Sequence, residues 1–379
     1  MEEECYDFEL DDCADYPFDN FGGHTKAIVG FEKYDIEGAE IYHMGQMFVL
    51  GSYPIHFHMA LDVSDKNPVI KSNSIHDTFS RCVTIHGTSG VRVEDNVAVD
   101  HYGHCYFLED GCEQNTVFDH NLGLGTRKGS LTPSDKEPTT FWFTSPLVEV
   151  TNNAAAGSET KSGTGIWYLF PDEPIAHCKG LGIFEKKEAK NTPIPSFYNN
   201  AAHSNGNIGL ALNKRLGDGH TIIGCSTYTP LVDPKIKNSE YQPVIFDTFH
   251  GYKNGKRNVI MRSAATEVVN FFVGDSLRGI TLNRNMLGGY QRIRDSTIIG
   301  DTPNTGMPEQ INVKDPDSGK TQWVWSERSY PWKWSANDPA VGVLIDAEGP
   351  SHLENVRFLN FKSTDIRRAA AIEWRNGYM

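Results

Sequence analysis

The sequence predicts an all-β chain: a right-handed parallel β-helix, a single-stranded solenoid with long inserted loops. Three observations predict it. Segments recur about every 23 residues, apolar runs are short and bounded by Gly, Asn and Asp, and helical periodicity is nearly absent. NSIHDTFSRCVTIHG opens at Asn73 and NVAVDHYGHCYFLEDG opens 23 residues later, at Asn96. Asp77 and Asp100 keep the same offset, and so do Cys82 and Cys105. A third unit opens at Asn121 (HNLGLG). Weaker ones open at Asn153 (NNAAAG, leading to GIWYLF) and Asn200 (NNAAHSN, leading to NIGLAL).

Each coil of such a solenoid stacks about 4.8 Å above the last, so residues one period apart become neighbours. Asn73, Asn96, Asn121 and Asn153 are therefore expected to form a ladder whose side-chain amides bond one another and the backbone. The short apolar runs at 83–85, 106–108, 141–143 and 166–169 are the predicted strands. Cys82 and Cys105 share a column and read as stacked rather than bridged, because a disulfide demands a specific geometry.

The chain divides into N-terminal coils over 1–50, of which the acidic 1–20 reads as disordered, and a central helix over 51–300. A tryptophan-rich insertion over 301–340 and C-terminal coils over 341–379 follow. Two stretches, 126–139 and 171–196, are rich in Pro and Lys and read as loops projecting from the coil. A β-helix needs covered ends. None is obvious at Met379, so flanking domains of a longer protein are expected. No apolar run approaches ~18 residues, so no transmembrane segment is expected. The start, MEEECYDFELDD, lacks the apolar centre of a signal peptide.

Lys and Arg number 35 against 49 Asp and Glu, a net charge of −14. This balance argues against a nucleic-acid partner. A polyanionic ligand would need a locally basic groove or a bridging cation. The seven cysteines include no CxxC pair, and their odd number leaves at least one unpaired within the chain. Cys5 and Cys13 are spaced to close a short loop.

Stacked coils also bring chemistry together. Asp77 and Asp100, one coil apart, would lie about 5 Å from each other, the carboxylate separation of a retaining glycosidase. The same pair could instead supply oxygen donors to calcium, and its plainer reading is a turn ladder in which each Asp bonds to backbone. A second constellation starts with His56 and His58, which alternate on one strand and share a face. His86 and Glu109 each follow their cysteine by four residues and should be adjacent. Arg81 and His104 each precede it and should stack, and Asp110 follows Glu109. Such a strip offers a proton donor, a base and a cation for a sugar carboxylate. Its plainer reading is a polar rim with satisfied hydrogen bonds. His56 and His58 also admit a metal reading, with a third ligand such as His86. Calcium on Asp and Glu oxygens is preferred to zinc. Trp323, Trp325, Trp332 and Trp334, with Arg328, suggest a platform for sugar rings, whereas Trp142 and Trp167 read as internal.

Eight elements occur in order over about residues 20–376: FGGHTKAIVGFEKYDIEGAEIYHMGQ, YPIHFHM, HDTFSRCVTIHGTSGV, GHCYFLEDG, HNLGLG, TFWF, NNAAAGS with GIWYLF, and FYNNAAHSN. Together they resemble the β-helix region of the hyaluronan-degrading family of cell-migration-inducing and cell-surface hyaluronidase proteins. Fibrocystin-like receptors share the HFH and CxxxHG elements more loosely. The resemblance implies a β-helix, an extracellular or cell-surface location, hyaluronan binding and its endo-cleavage, with calcium support. Under it, Arg81, His86, His104, Glu109, Asp110, Asp77 and Asp100 become catalytic candidates. His56, His58, Trp323, Trp325 and Arg328 become substrate contacts. A lyase on the same fold and a non-catalytic binding module are the rival expectations.

Overall fold

The structure, a computed structural model, describes residues 20–375 apart from 160, 225, 285–288, 309, 315–317, 327, 329–339, 348 and 365–366. Cys5, Cys13, Cys225, Trp332 and Trp334 therefore lie outside the described residues, as does the acidic start up to residue 19.

Each coil gives one strand to an eleven-stranded parallel sheet. We number its strands β1 (Thr25–Ile28), β2 (Ile55–Asp62), β3 (Val83–Ser89), β4 (Tyr106–Leu108), β5 (Thr139–Phe143) and β6 (Thr164–Tyr168). Then come β7 (Ile208–Leu212), β8 (Arg257–Arg262), β9 (Arg278–Arg284), β10 (Ala340–Ala347) and β11 (Ala369–Trp374). The remaining coil strands, such as Arg92–Glu94 and Val97–Tyr102, form the other faces, again in parallel. This is the expected parallel β-helix. The pairing of Val83 with Tyr106 and Ile85 with Leu108 is the 23-residue repeat in register.

Period-two alternation decides which side chains turn inward. Ile55, Phe57, Val83, Ile85, Tyr106, Leu108, Phe141, Phe143, Ile166 and Tyr168 line the interior and are fully buried. Between them, His56, Thr84, Phe107, Trp142 and Trp167 stack along the outer face. These outward residues are buried too, because loops fold over them: Phe107, Trp142 and Trp167 pack with Leu169, Ile175 and Leu216. The two tryptophans are thus internal, as read from the sequence, but they lie between the sheet and its covering loops.

The asparagine ladder is present. Asn73 Nδ2 donates to Asn96 Oδ1 at 2.9 Å, Asn96 to Asn121 at 2.9 Å and Asn121 to Asn153 at 3.0 Å. It continues to Asn200 at 3.2 Å. Each amide also meets a backbone group, as Asn96 Nδ2 does at Ile70 O (2.8 Å), so these buried polar side chains are satisfied. A second ladder, Asn205 to Asn254 to Asn258, was not foreseen.

Two expectations are corrected. Cys82 and Cys105 form a disulfide, with Cα atoms 4.6 Å apart. Neighbouring coils hold both side chains in one column at the separation that a bridge requires. A second disulfide joins Cys112 and Cys178, 66 residues apart. The predicted projecting loops also fold back. The short helix Pro133–Lys136 buries Ser134 and Asp135 against the sheet, and Cys178 ties the later segment to the end of the coil carrying β4. The insertion after residue 300 forms an antiparallel hairpin of Gln310–Lys314 and Thr321–Trp325. Among the described residues, no helix is long and apolar enough to cross a membrane.

Candidate functional site

The site grows from the outer face of β2 and β3. Register places His58 opposite His86, while His56 lies one alternate position earlier. Ile85 pairs with Leu108, so the next residues, His86 and Glu109, continue the column. Their charges come together, with His86 Nδ1 3.6 Å from Glu109 Oε2. The turn after β4 is fixed by Glu113, whose carboxylate accepts from the N–H groups of Gly87 (3.0 Å), Asp110 (3.1 Å) and Gly111 (2.9 Å).

His86 Nε2 donates to Asp110 Oδ2 at 2.9 Å, and the same oxygen accepts the His177 N–H at 3.0 Å. His220 Nε2 lies 3.6 Å from the other Asp110 oxygen. His86 Nδ1 faces His58 Nδ1 at 3.1 Å. His56 Nδ1 is 3.0 Å from Gly51 O; a carbonyl only accepts, so this nitrogen carries the proton and Nε2 keeps a lone pair. That Nε2 is buried without a hydrogen-bond partner, and so is Glu109 Oε2. His56 is 0% and Glu109 4% exposed, but His58 is half-buried and His177 exposed, so the cluster opens to solvent beside these two.

The electrostatics are strongly perturbed, as at many functional sites. Burial pushes the Glu109 carboxyl up to about 7, against the pull of His86 and Arg81. Burial also works to lower His86, but its bond to Asp110 and the charge of Glu109 prevail and raise it to about 9. His56 falls to about 3, chiefly through burial.

The other sequence candidates divide. Arg81 and His104 are adjacent, as expected, but fully buried: the Arg81 guanidinium pairs with Asp135 and lies 4.0 Å over the Phe107 ring. His104 stacks on Trp142 at 3.9 Å and bonds Ser134 at 3.1 Å. The folded-back loop takes up their polarity, so Arg81 is not a solvent-facing cation for a sugar carboxylate. Asp77 and Asp100 stack on a different face of the helix, through the registers His76–Val99 and Thr78–His101. Both are turn residues with positive φ, 48° and 54°, and each is bonded, to His76 (2.7 Å) and Arg127 (2.6 Å) respectively. They form the turn ladder rather than part of the histidine cluster.

Trp323 and Trp325 are exposed, at 66% and 65%, on one strand of the hairpin. Arg328 is not available to substrate: it is buried and bonds Asp275 (2.6 Å), Thr302 O (2.8 Å) and Asn304 O (3.0 Å), anchoring the insertion. His177, His220, Glu113 and Asp135 were missed, since they come from loops or turns outside the repeat.

The segment from 171 to 191 also walls a cleft of about 850 Å³. Lys186, Lys187, Lys190, Arg215, Lys235 and Lys237 line it, against Asp172, Glu185 and Glu188. Six basic residues against three acidic ones make this lining locally basic. Calcium favours all-oxygen shells. Among the described residues, every cluster of three or more potential side-chain ligands includes a histidine or cysteine, so these clusters do not fit calcium.

The CEMIP beta-helix family model matches residues 20–139 and 132–210. The chain is 32% identical to the cell migration-inducing and hyaluronan-binding protein of Homo sapiens over 420 residues, covering 99% of this chain and 30% of that protein. It is 31% identical to the human cell surface hyaluronidase CEMIP2, covering 98% of this chain and 29% of the relative. Fibrocystin-L of Mus musculus is 30% identical over 72% of the chain and 6% of its own length. The chain thus spans less than a third of each of these relatives. The stacked coils, the motifs that carry the histidine cluster and these similarities make this chain a member of the CEMIP β-helix family.

Proposed function

We propose that this chain binds hyaluronan in the basic cleft and hydrolyses its internal glycosidic bonds at the pocket of His86, Glu109 and Asp110. One observation carries the reading: a buried carboxyl oxygen of Glu109, without a hydrogen-bond partner, lies 3.6 Å from His86 where the solvent-reaching His58 opens the cluster. Glycoside hydrolysis needs a proton donor and a second carboxylate. Glu109 is the donor in this reading and Asp110 the second carboxylate, with His86 bridging them. The names of two relatives, one hyaluronan-binding and one a cell surface hyaluronidase, supply the substrate class. The two disulfides fit an oxidising, extracellular or cell-surface setting. Calcium belongs to the proposal through the family resemblance alone, and no step is assigned to it.

A lyase would need a cation to neutralise the uronate next to the proton it removes. The burial of Arg81 against Asp135 argues against that variant. A binding module without catalysis is favoured by the fibrocystin-L similarity. Incubation of long hyaluronan with the chain and calcium, followed by size analysis, separates these readings. Hydrolysis shortens the polymer without new ultraviolet absorbance, and a lyase shortens it with such absorbance. Bound polymer of unchanged length would leave the module and refute the enzyme.

A further inference from the structure

We propose that His56, His58 and His86 form a binding site for one divalent transition-metal ion of the zinc class. The site shares His86 and its partner Asp110 with the proposed pocket, but the proposal concerns metal binding, whether or not the polymer is cut. The three imidazoles stand on the outer face of two paired strands, and one nitrogen of each lies within 4.8 Å of the others. His58 Nδ1 and His86 Nδ1 are 3.1 Å apart. Nitrogens bound tetrahedrally at about 2.0–2.1 Å from zinc are about 3.4 Å from one another, so this edge is nearly of ligating length.

The outer contacts point the same way. A metal-bound histidine usually donates its far N–H to a carboxylate or a carbonyl, which fixes the tautomer and aims the lone pair. His86 does so to Asp110 at 2.9 Å, and His56 to Gly51 O at 3.0 Å. The remaining nitrogen of His56 is fully buried and unpartnered, which is the independent sign of a missing ligand. Asp110 beside His86 supplies negative charge for a cation, while exposed Lys26, paired in register with His56, opposes it. Three imidazole donors suit zinc, cobalt, nickel or copper, and calcium poorly. Half-buried His58 and exposed His177 leave the fourth position toward solvent.

The test is cobalt titration of the chelator-stripped chain. The expected result is one cobalt per chain with the visible absorption of a tetrahedral site, displaced by zinc. His58→Ala, at the rim, should abolish that absorption while leaving the circular dichroism unchanged. Asp110→Asn should weaken binding about ten- to a hundredfold. X-ray absorption of the zinc-loaded wild type does not depend on any variant folding and should report three imidazole nitrogens. Absence of binding, an undiminished absorption in His58→Ala, or a sulfur or all-oxygen shell would each overturn the proposal. In the first case, the 3.1 Å contact is simply a hydrogen bond between two histidines.

Discussion

Arg81 and Asp135 form a fully buried ion pair that joins the first half of the repeat to the loop folded over it. Space for the pair depends on glycine. Gly103 has φ +75°, and a Cβ there would come within 2.9 Å of Arg81 Nη1, while Gly129 packs directly on Gly103. The polar strip read from the sequence therefore splits in two. Arg81, His104 and Asp135 clamp the loop, and buried His86, Glu109 and Asp110 group with half-buried His58.

The clamp makes Arg81→Ala a stability variant. Removing one partner of a buried pair leaves the other charged and desolvated, at a cost of ~3–5 kcal/mol. Denaturant unfolding should show that loss, and Asp135→Ala should show a similar one. A variant as stable as the wild type would return Arg81 to the list of catalytic candidates.

Glu109→Gln keeps the shape of the side chain and removes its acidic proton. If Glu109 donates a proton to the leaving oxygen, cleavage should fall by about 10²–10⁴, the usual contribution of a positioned acid, while hyaluronan binding persists. Asp77→Asn and Asp100→Asn, at the turn ladder, should cut at wild-type rates. Size analysis of the polymer reads all three, and full activity in Glu109→Gln would remove this residue from the chemistry.

His101 predicts an acid sensitivity unrelated to the site. It is fully buried, its Nε2 meets Thr126 Oγ1 at 2.8 Å, and burial, helped by the charge of Arg127, lowers it to about 3. In the unfolded chain it titrates near 6.5. Between these values the unfolded state binds the extra proton. Its contribution is therefore complete above pH 6.5 and is lost as the pH falls toward 3, at ~1.4 kcal/mol per unit. Unfolding of wild type and His101→Gln between pH 6 and pH 4 should differ in slope by up to one proton. Parallel curves would mean that His101 is already protonated in the fold.

Much of the architecture was legible because a solenoid converts sequence offset into contact. The 23-residue spacing of Asn73 and Asn96 was enough to place the ladder, and the same arithmetic put His86 beside Glu109. It failed where partners came from outside the repeat. Asp135, His177 and His220 lie in segments that no period positions, so the burial of Arg81 and the bonding of Asp110 were invisible. Asp77 and Asp100 were stacked correctly, yet nothing in a spacing tells which face of the coil is covered and which pair already has partners.

The basic cleft makes the last prediction, because its chemistry differs from that of the pocket. Lys187 and Lys237 are exposed lining residues in a chain whose net charge is −14. Attraction between exposed charges is screened over about 8–10 Å at ordinary salt, so hyaluronan held here should dissociate readily as salt rises. Reversing both charges, in Lys187→Glu with Lys237→Glu, removes local attraction and adds repulsion without disturbing a buried contact. Affinity at low salt should fall by about tenfold or more, chiefly through slower association. The salt dependence should flatten, and the melting temperature should stay within the small range usual for surface changes. Binding measured by calorimetry or surface capture across a salt series reads both quantities. If the double variant binds hyaluronan with wild-type affinity and salt slope, the polymer lies elsewhere, and the exposed face bearing Trp323 and Trp325 is the next surface to alter.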